Sequence, residues 1–118
     1  MDNSEVAMAG RFEFYKDKSN GRFYFRLLAA DGEVVLSSEA YTSKLGCTKG
    51  IQSVRANAAN PDNYLKEPTG NGGHRFKLLS LNGRILGISQ TYDTAAAYSK
   101  AVVSVSRLAR AATVDELS

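Results

Sequence analysis

Tryptophan is absent from this 118-residue chain, and cysteine and histidine occur once each, as Cys47 and His74. A single cysteine excludes an internal disulfide framework, so the fold must be held by its core. One Cys and one His, with no carboxylates paired at ligand spacing, do not make a zinc site. A thiol–imidazole nucleophile would need Cys47 and His74 in one cleft, yet Cys47 falls on an apolar helical stripe, where a free cysteine packs as a small hydrophobe. No catalytic residue, metal ligand or cofactor-binding residue is therefore expected, and the chain reads as a non-enzyme. No apolar run approaches the roughly 20 residues that cross a bilayer, and no basic leader followed by an apolar segment marks a secretory signal. The expectation is a soluble protein of the reducing cytoplasm, with no membrane partner.

Charge of one sign is also lacking in any block. Fifteen Lys and Arg against twelve Asp and Glu give a net charge of +3, and the two signs are interspersed from Arg11 to Arg110. That balance favours solubility and points to no particular partner. The segment GNGGHR at 70–75 suggests a phosphate loop, but it lacks the GxxxxGK[ST] spacing and leads into a strand, so it reads as a hairpin turn.

What the chain does have is an internal repeat. Residues 20–58 align without a gap on residues 71–109 at an offset of 51, and twelve of the thirty-nine pairs are identical: Asn20, Gly21, Phe25, Leu27, Leu28, Gly32, Ser38, Tyr41, Lys49, Ser53, Val54 and Ala58 with their counterparts. Two copies are too few for a solenoid, so they are expected to pair about a pseudo-twofold axis within a monomer. A tail at 1–10 carries no period and is expected to be disordered. Residues 11–118 then form one domain of two repeats, about 11–61 and 62–118, long enough to bury roughly two thirds of its unfolded surface.

Each repeat begins with alternating apolar and polar residues rich in Phe, Tyr and Val, punctuated by Asn-Gly or Asp-Gly. Strands are predicted near 11–17, 22–29 and 33–39, and again near 63–67, 74–81 and 84–90. If Asp31-Gly32 and Asn82-Gly83 form two-residue turns, Phe25, Leu27, Val34, Leu36 and Ser38 share one face, as do Phe76, Leu78, Ile85, Gly87 and Ser89. The period then lengthens to nearly four: Cys47, Ile51, Val54 and Ala58 recur at helical spacing, as do Tyr98, Val102, Val105 and Ala109. Thr42 or Ser43, and Asp93 or Thr94, suit the N-caps. The first helix must end before Pro61, and Thr113 to Leu117 fit a short terminal strand. The class is thus α+β, with two helices packed on one face of an antiparallel sheet.

A serine three residues before a tyrosine recurs in SSEAYTSK (37–44) and ISQTYDTA (88–95). Ser38, Tyr41, Ser89 and Tyr92 read as a repeated structural signature, the hydroxyl tying a strand end to a backbone group and the ring covering the first helical turn. Duplication of the serine without duplication of any base argues against catalysis.

The combination of FEFYKDKSNGRFYFRLLAADGEVVLSSEAYTSK, KGIQSVRANA and a second FKLLSLNG…SQTYDTA…VVSVS resembles the YegP-like family of small bacterial proteins in its duplicated form. The resemblance implies two β3-α-β units in one sheet with the last strand of each unit exchanged. It implies no reaction, since the family is one of unassigned function.

The same parity leaves Tyr24, Arg26, Leu28, Val35, Arg75, Lys77, Leu79, Leu86 and Ile88 on the sheet face away from the helices. Apolar groups among cations suit a protein partner or an anionic ligand, and this open face is the expected interaction surface. Nucleic acid is the alternative, weakened because Tyr24 is the one ring counted there. The repeated pairs Lys49/Ser53 and Lys100/Ser104, one helical turn apart, read as solvated faces that an anion could meet.

Overall fold

The computed structural model describes residues 10–117; the tail expected at 1–10 lies outside it except for Gly10. The chain runs β1 (Arg11–Lys16), β2 (Phe23–Leu28), β3 (Val34–Ser37), α1 (Lys44–Asn57), a 3-10 turn (Pro61–Asn63), β4 (Tyr64–Pro68), β5 (His74–Leu79), β6 (Ile85–Ile88), α2 (Ala95–Ala111) and β7 (Thr113–Glu116). The strands form one seven-stranded sheet in the order β4-β5-β6-β3-β2-β1-β7. All neighbours are antiparallel except β1 and β7, which run parallel because β7 returns from a helical crossover.

The two copies meet where Ser37 pairs with Ile88, residues related by the same offset of 51. The pseudo-twofold axis therefore passes between β3 and β6. Each strand that follows a helix joins the other copy, β4 beside β5 and β7 beside β1. Strand β4 closes the first unit and opens the second, so the sheet has one strand fewer than two complete β3-α-β units would supply.

Both helices bury their stripes on one face. Cys47, Ile51 and Val54 of α1, and Val105, Leu108 and Ala109 of α2, pack with Phe12, Phe14, Phe25, Leu27, Leu36, Phe76 and Leu78. Ser43 caps α1 by accepting from the Gly46 N–H at 3.0 Å, and Thr94 caps α2 by accepting from Ala97 at 3.1 Å. Arg55 of α1 donates to the carbonyls of Ala109 (2.9 Å) and Ala112, so a cation from one helix satisfies the end of the other.

The hairpin turns differ from the two-residue form. Ala29 N–H donates to Glu33 O at 2.8 Å and Gly32 N–H to Ala29 O at 2.9 Å, which makes Ala30, Asp31 and Gly32 a three-residue loop. A two-residue type I′ turn needs positive φ at both central positions; Gly32 has φ 89°, but among the described residues no non-glycine has positive φ. The extra loop residue is compensated by a bulge, where Leu27 faces Leu36 but Leu28 faces Val34. The second copy repeats this, with Leu78 facing Gly87 and Leu79 facing Ile85. Beyond the bulge the two-residue register is restored, so Phe25, Leu27 and Leu36 lie on the helix side as expected. Gly10 is packed: a Cβ there would come within 2.2 Å of the Leu28 carbonyl oxygen.

Candidate functional site

The bulges also redraw the open face. Val35 and Leu86 are the extra residues on their strands; at 5% and 2% exposure they belong to the core, not to the interaction surface. Leu28 is buried as well, at 5%, beside the bulge and opposite Arg11. Of the nine candidates, Tyr24, Arg26, Arg75, Lys77, Leu79 and Ile88 remain partly exposed.

These residues stand with others that parity in RFEFYK and YLKEP could have supplied. Ladder partners make a continuous row across the sheet: Leu65, Lys77, Ile88, Ser37, Arg26, Glu13 and Asp115. Beside it Tyr15 stacks on Tyr24 with centroids 6.0 Å apart and planes inclined by 24°, and the Arg26 guanidinium lies 5.6 Å from the Tyr15 centroid. Two rings therefore occupy this face, not Tyr24 alone. Its cations are largely paired. Glu13 takes Arg11 at 3.0 Å and Arg26 at 2.8 Å, and Glu67 takes Arg75 at 3.0 Å and Lys77 at 3.1 Å. Hydrogen bonds from Arg11, then Arg26, hold the Glu13 carboxyl below its ordinary range; Lys77, then Arg75, do the same for Glu67.

Ser38 and Ser89 complete the ladder where the chain leaves the sheet. Each hydroxyl accepts from a backbone N–H, Phe25 or Phe76, at 2.9 Å, and donates to the next residue's carbonyl, Glu39 at 2.8 Å or Gln90 at 2.7 Å. Tyr41 and Tyr92 then rejoin the sheet opposite Phe23 and His74. Their rings differ. Tyr41 stacks on Phe25 and is 7% exposed, because Gly50 leaves room: a Cβ at Gly50 would lie 2.3 Å from the Tyr41 hydroxyl. The second copy has Ala101 at the Gly50 position, Tyr92 is only half-buried, and Tyr98 packs edge-on against Phe76 instead.

Cys47 occupies the Tyr98 position in the first copy and is fully buried; desolvation pushes its thiol up to about 11, so it stays protonated near neutrality. His74 stands in the other copy, edge-on to Tyr98 at 6.4 Å between centroids. Among the described residues no cluster of three His, Cys, Asp or Glu forms a metal-binding group, and no helix is long and apolar enough to cross a membrane.

Lys49 with Ser53, and Lys100 with Ser104, line two grooves related by the pseudo-twofold axis, each between one copy's helix and the other copy's β-hairpin.

Comparison with known proteins matches this architecture. A family model described as a domain of unknown function, DUF1508, matches twice, over residues 18–64 and 70–116. The UPF0339 protein YegP of Escherichia coli K12 is 44% identical over 98 residues, covering 83% of this chain and 88% of that protein. A UPF0339 protein in the ptx operon 5′ region of Stutzerimonas stutzeri is 39% identical over 110 residues, covering 93% and 98%. The solution NMR structure of Escherichia coli YegP superposes with a TM-score of 0.85 at 40% identity, covering 92% of this chain and 93% of that one. That of a UPF0339 protein from Shewanella oneidensis gives 0.86 at 38% identity, covering 93% and 92%. With both units matched, the folds superposing and the relatives spanned almost end to end, the chain belongs to the YegP-like UPF0339 family, whose function is unassigned, in its two-repeat form.

Proposed function

We propose that the protein is a small, non-enzymatic binding module of the cytoplasm that engages a protein partner through the open face of its sheet. The observation that carries this reading is the row from Leu65 to Asp115, flanked by the stacked Tyr15 and Tyr24, on a face that no helix covers among the described residues. Tyr15, Tyr24 and Arg26 on the β1–β2 side are residue types enriched at protein interfaces, and Ile88 and Leu79 across the seam add apolar surface to the same face. Arg11, Arg26, Arg75 and Lys77 are held in ion pairs with Glu13 and Glu67, which favours a set arrangement of these charges before a partner arrives.

Nucleic acid is the second reading, favoured by one observation: two rings and an arginine stacked on a sheet form a platform of the kind that receives bases. Glu13 and Glu67 weigh against it, since each holds two of the cations a phosphate backbone would need. The test is a pull-down from cell extract with wild type and with the Leu79→Lys/Ile88→Lys variant, alongside titration with single-stranded oligonucleotides. Specific capture lost in the variant, with its circular dichroism unchanged, is the expected result. The same proteins captured by both would refute the protein reading, and oligonucleotide binding sensitive to Tyr15→Ala would replace it with the second.

A further inference from the structure

On the helix-bearing side the two copies build the same groove twice and furnish it differently. The first groove, of about 290 Å³, is lined by Tyr41, Lys49 and Ser53 from the first copy and by Ser80, Asn82 and Arg84 from the hairpin of the second. Its counterpart, about 240 Å³, brings Tyr92, Lys100 and Ser104 to Glu33 of the first copy's hairpin. The helix sides are alike: Lys49 matches Lys100 and Ser53 matches Ser104. The hairpin sides diverge at three aligned positions, Ser80 for Ala29, Asn82 for Asp31 and Arg84 for Glu33. Each change removes a group that repels or ignores an anion and supplies one that binds it.

The electrostatic outcome follows from the residues alone. Lys49 and Arg84 give the first groove two positive charges and no carboxylate in its lining; among the described residues neither makes an ion pair within 4.0 Å. In the second, Glu33 opposes Lys100, and the adjoining pocket adds Asp31 against Arg107. Glu33 is moreover held at the groove by the Gln90 amide. The donors of the first groove are also ordered. The Arg84 guanidinium lies 5.7 Å from the Tyr41 ring centroid, and Asn82 Oδ1 accepts from the Ser80 hydroxyl, which leaves the Asn82 amide N–H groups to donate. A guanidinium, an ammonium, hydroxyls and an amide around one hollow suit a group with several anionic oxygens.

We propose that the Lys49–Arg84 groove binds the phosphate group of a small phosphorylated molecule, and that its Lys100 counterpart does not. The hollow falls just below the roughly 300–1,000 Å³ typical of small-molecule sites, enough for a phosphate and a short organic stem. This site lies on the opposite side from the open face, so it stands or falls independently of the partner proposed there.

The experiment is an amide chemical-shift titration of the full chain with inorganic phosphate and with glycerol phosphate, each compared with chloride at equal ionic strength. Saturable shifts at Lys49, Ser53 and Ser80 to Arg84, with Lys100 and Ser104 still, are expected. Arg84→Glu, which installs the residue type of the second groove, should weaken phosphate binding at least about tenfold. Lys49→Gln should weaken it as well, and serves as a check should Arg84→Glu perturb the hairpin. In the reverse direction, Asp31→Asn with Glu33→Arg should give the Lys100 groove a phosphate response it lacked. Equal shifts with chloride, equal response of both grooves in wild type, or undiminished affinity in both Arg84→Glu and Lys49→Gln would overturn the proposal.

Discussion

Leu36 and Gly87 occupy the same position in the two copies and face each other beside the pseudo-twofold axis. Leu36 is fully buried, and a Cβ at Gly87 would lie 2.6 Å from its Cγ. The space at the axis thus holds one leucine side chain, and its partner must be a hydrogen. Leu36→Ala should cost about 2–5 kcal/mol, the range for truncating a buried leucine. Gly87→Ala in the wild type should cost about 1–3 kcal/mol, because the added methyl displaces Leu36 from a close-packed site. In the Leu36→Ala background the same methyl enters the vacated space and removes a glycine from a strand, where alanine is favoured by roughly 0.5–1 kcal/mol. Gly87→Ala should then become neutral or stabilising, a coupling of about 1–4 kcal/mol. Urea unfolding of the four proteins, monitored by circular dichroism, measures it. Additive costs within about 0.5 kcal/mol would show that the two positions do not share one space, and would refute the reasoning.

Tyr41→Ala should cost on the order of 3 kcal/mol and Tyr92→Ala clearly less, since only Tyr41 is buried over a glycine; equal shifts in melting temperature would contradict the asymmetry. Residues 1–61 expressed alone lack β4 to β7 and leave β1 and β3 unpaired at their outer edges, so they should be unfolded or dimeric, and a cooperatively folded monomer by ultracentrifugation would refute this. Stability should fall with acid: the Glu13 carboxyl is depressed in the fold, so its contribution is complete above the unfolded value of about 4.3 and is lost as pH drops through the folded one. Glu13→Gln should flatten that part of the pH profile; an unchanged slope below pH 5, on the order of the unfolded carboxylate range, would show that its two arginines do not stabilise the fold.

The duplication, the strand punctuation, both helical stripes and the caps, each narrowed to two neighbouring residues of which Ser43 and Thr94 do the capping, were legible because each follows from periodicity or from a residue's own hydrogen-bonding chemistry. Loop length was not. Asp31-Gly32 and Asn82-Gly83 mark a turn, but the sequence does not say whether glycine sits inside a two-residue turn or closes a three-residue loop. That one residue, with the bulge that offsets it, carried Val35 and Leu86 from the assigned open face into the core. The row across the open face needed the inter-copy register at Ser37 and Ile88, a long-range fact that alternation within one strand does not encode. The difference between the grooves was written in aligned letters, Glu33 against Arg84 and Asp31 against Asn82. It gained meaning only when the fold brought each hairpin against the opposite helix.

The parallel pairing of β1 with β7 has a mechanical consequence. Thr113 N–H bonds to Gly10 O at 3.3 Å and Leu117 N–H to Phe14 O at 2.9 Å, so the first and last strands lie side by side pointing the same way. Tension applied before Arg11 and after Glu116 would pull these neighbours in opposite directions along their length. The rungs between them would be loaded together, in shear, instead of peeling one at a time. A load carried through this domain is therefore borne by the β1–β7 seam, and the rate at which the domain yields is set by the concerted rupture of that short ladder.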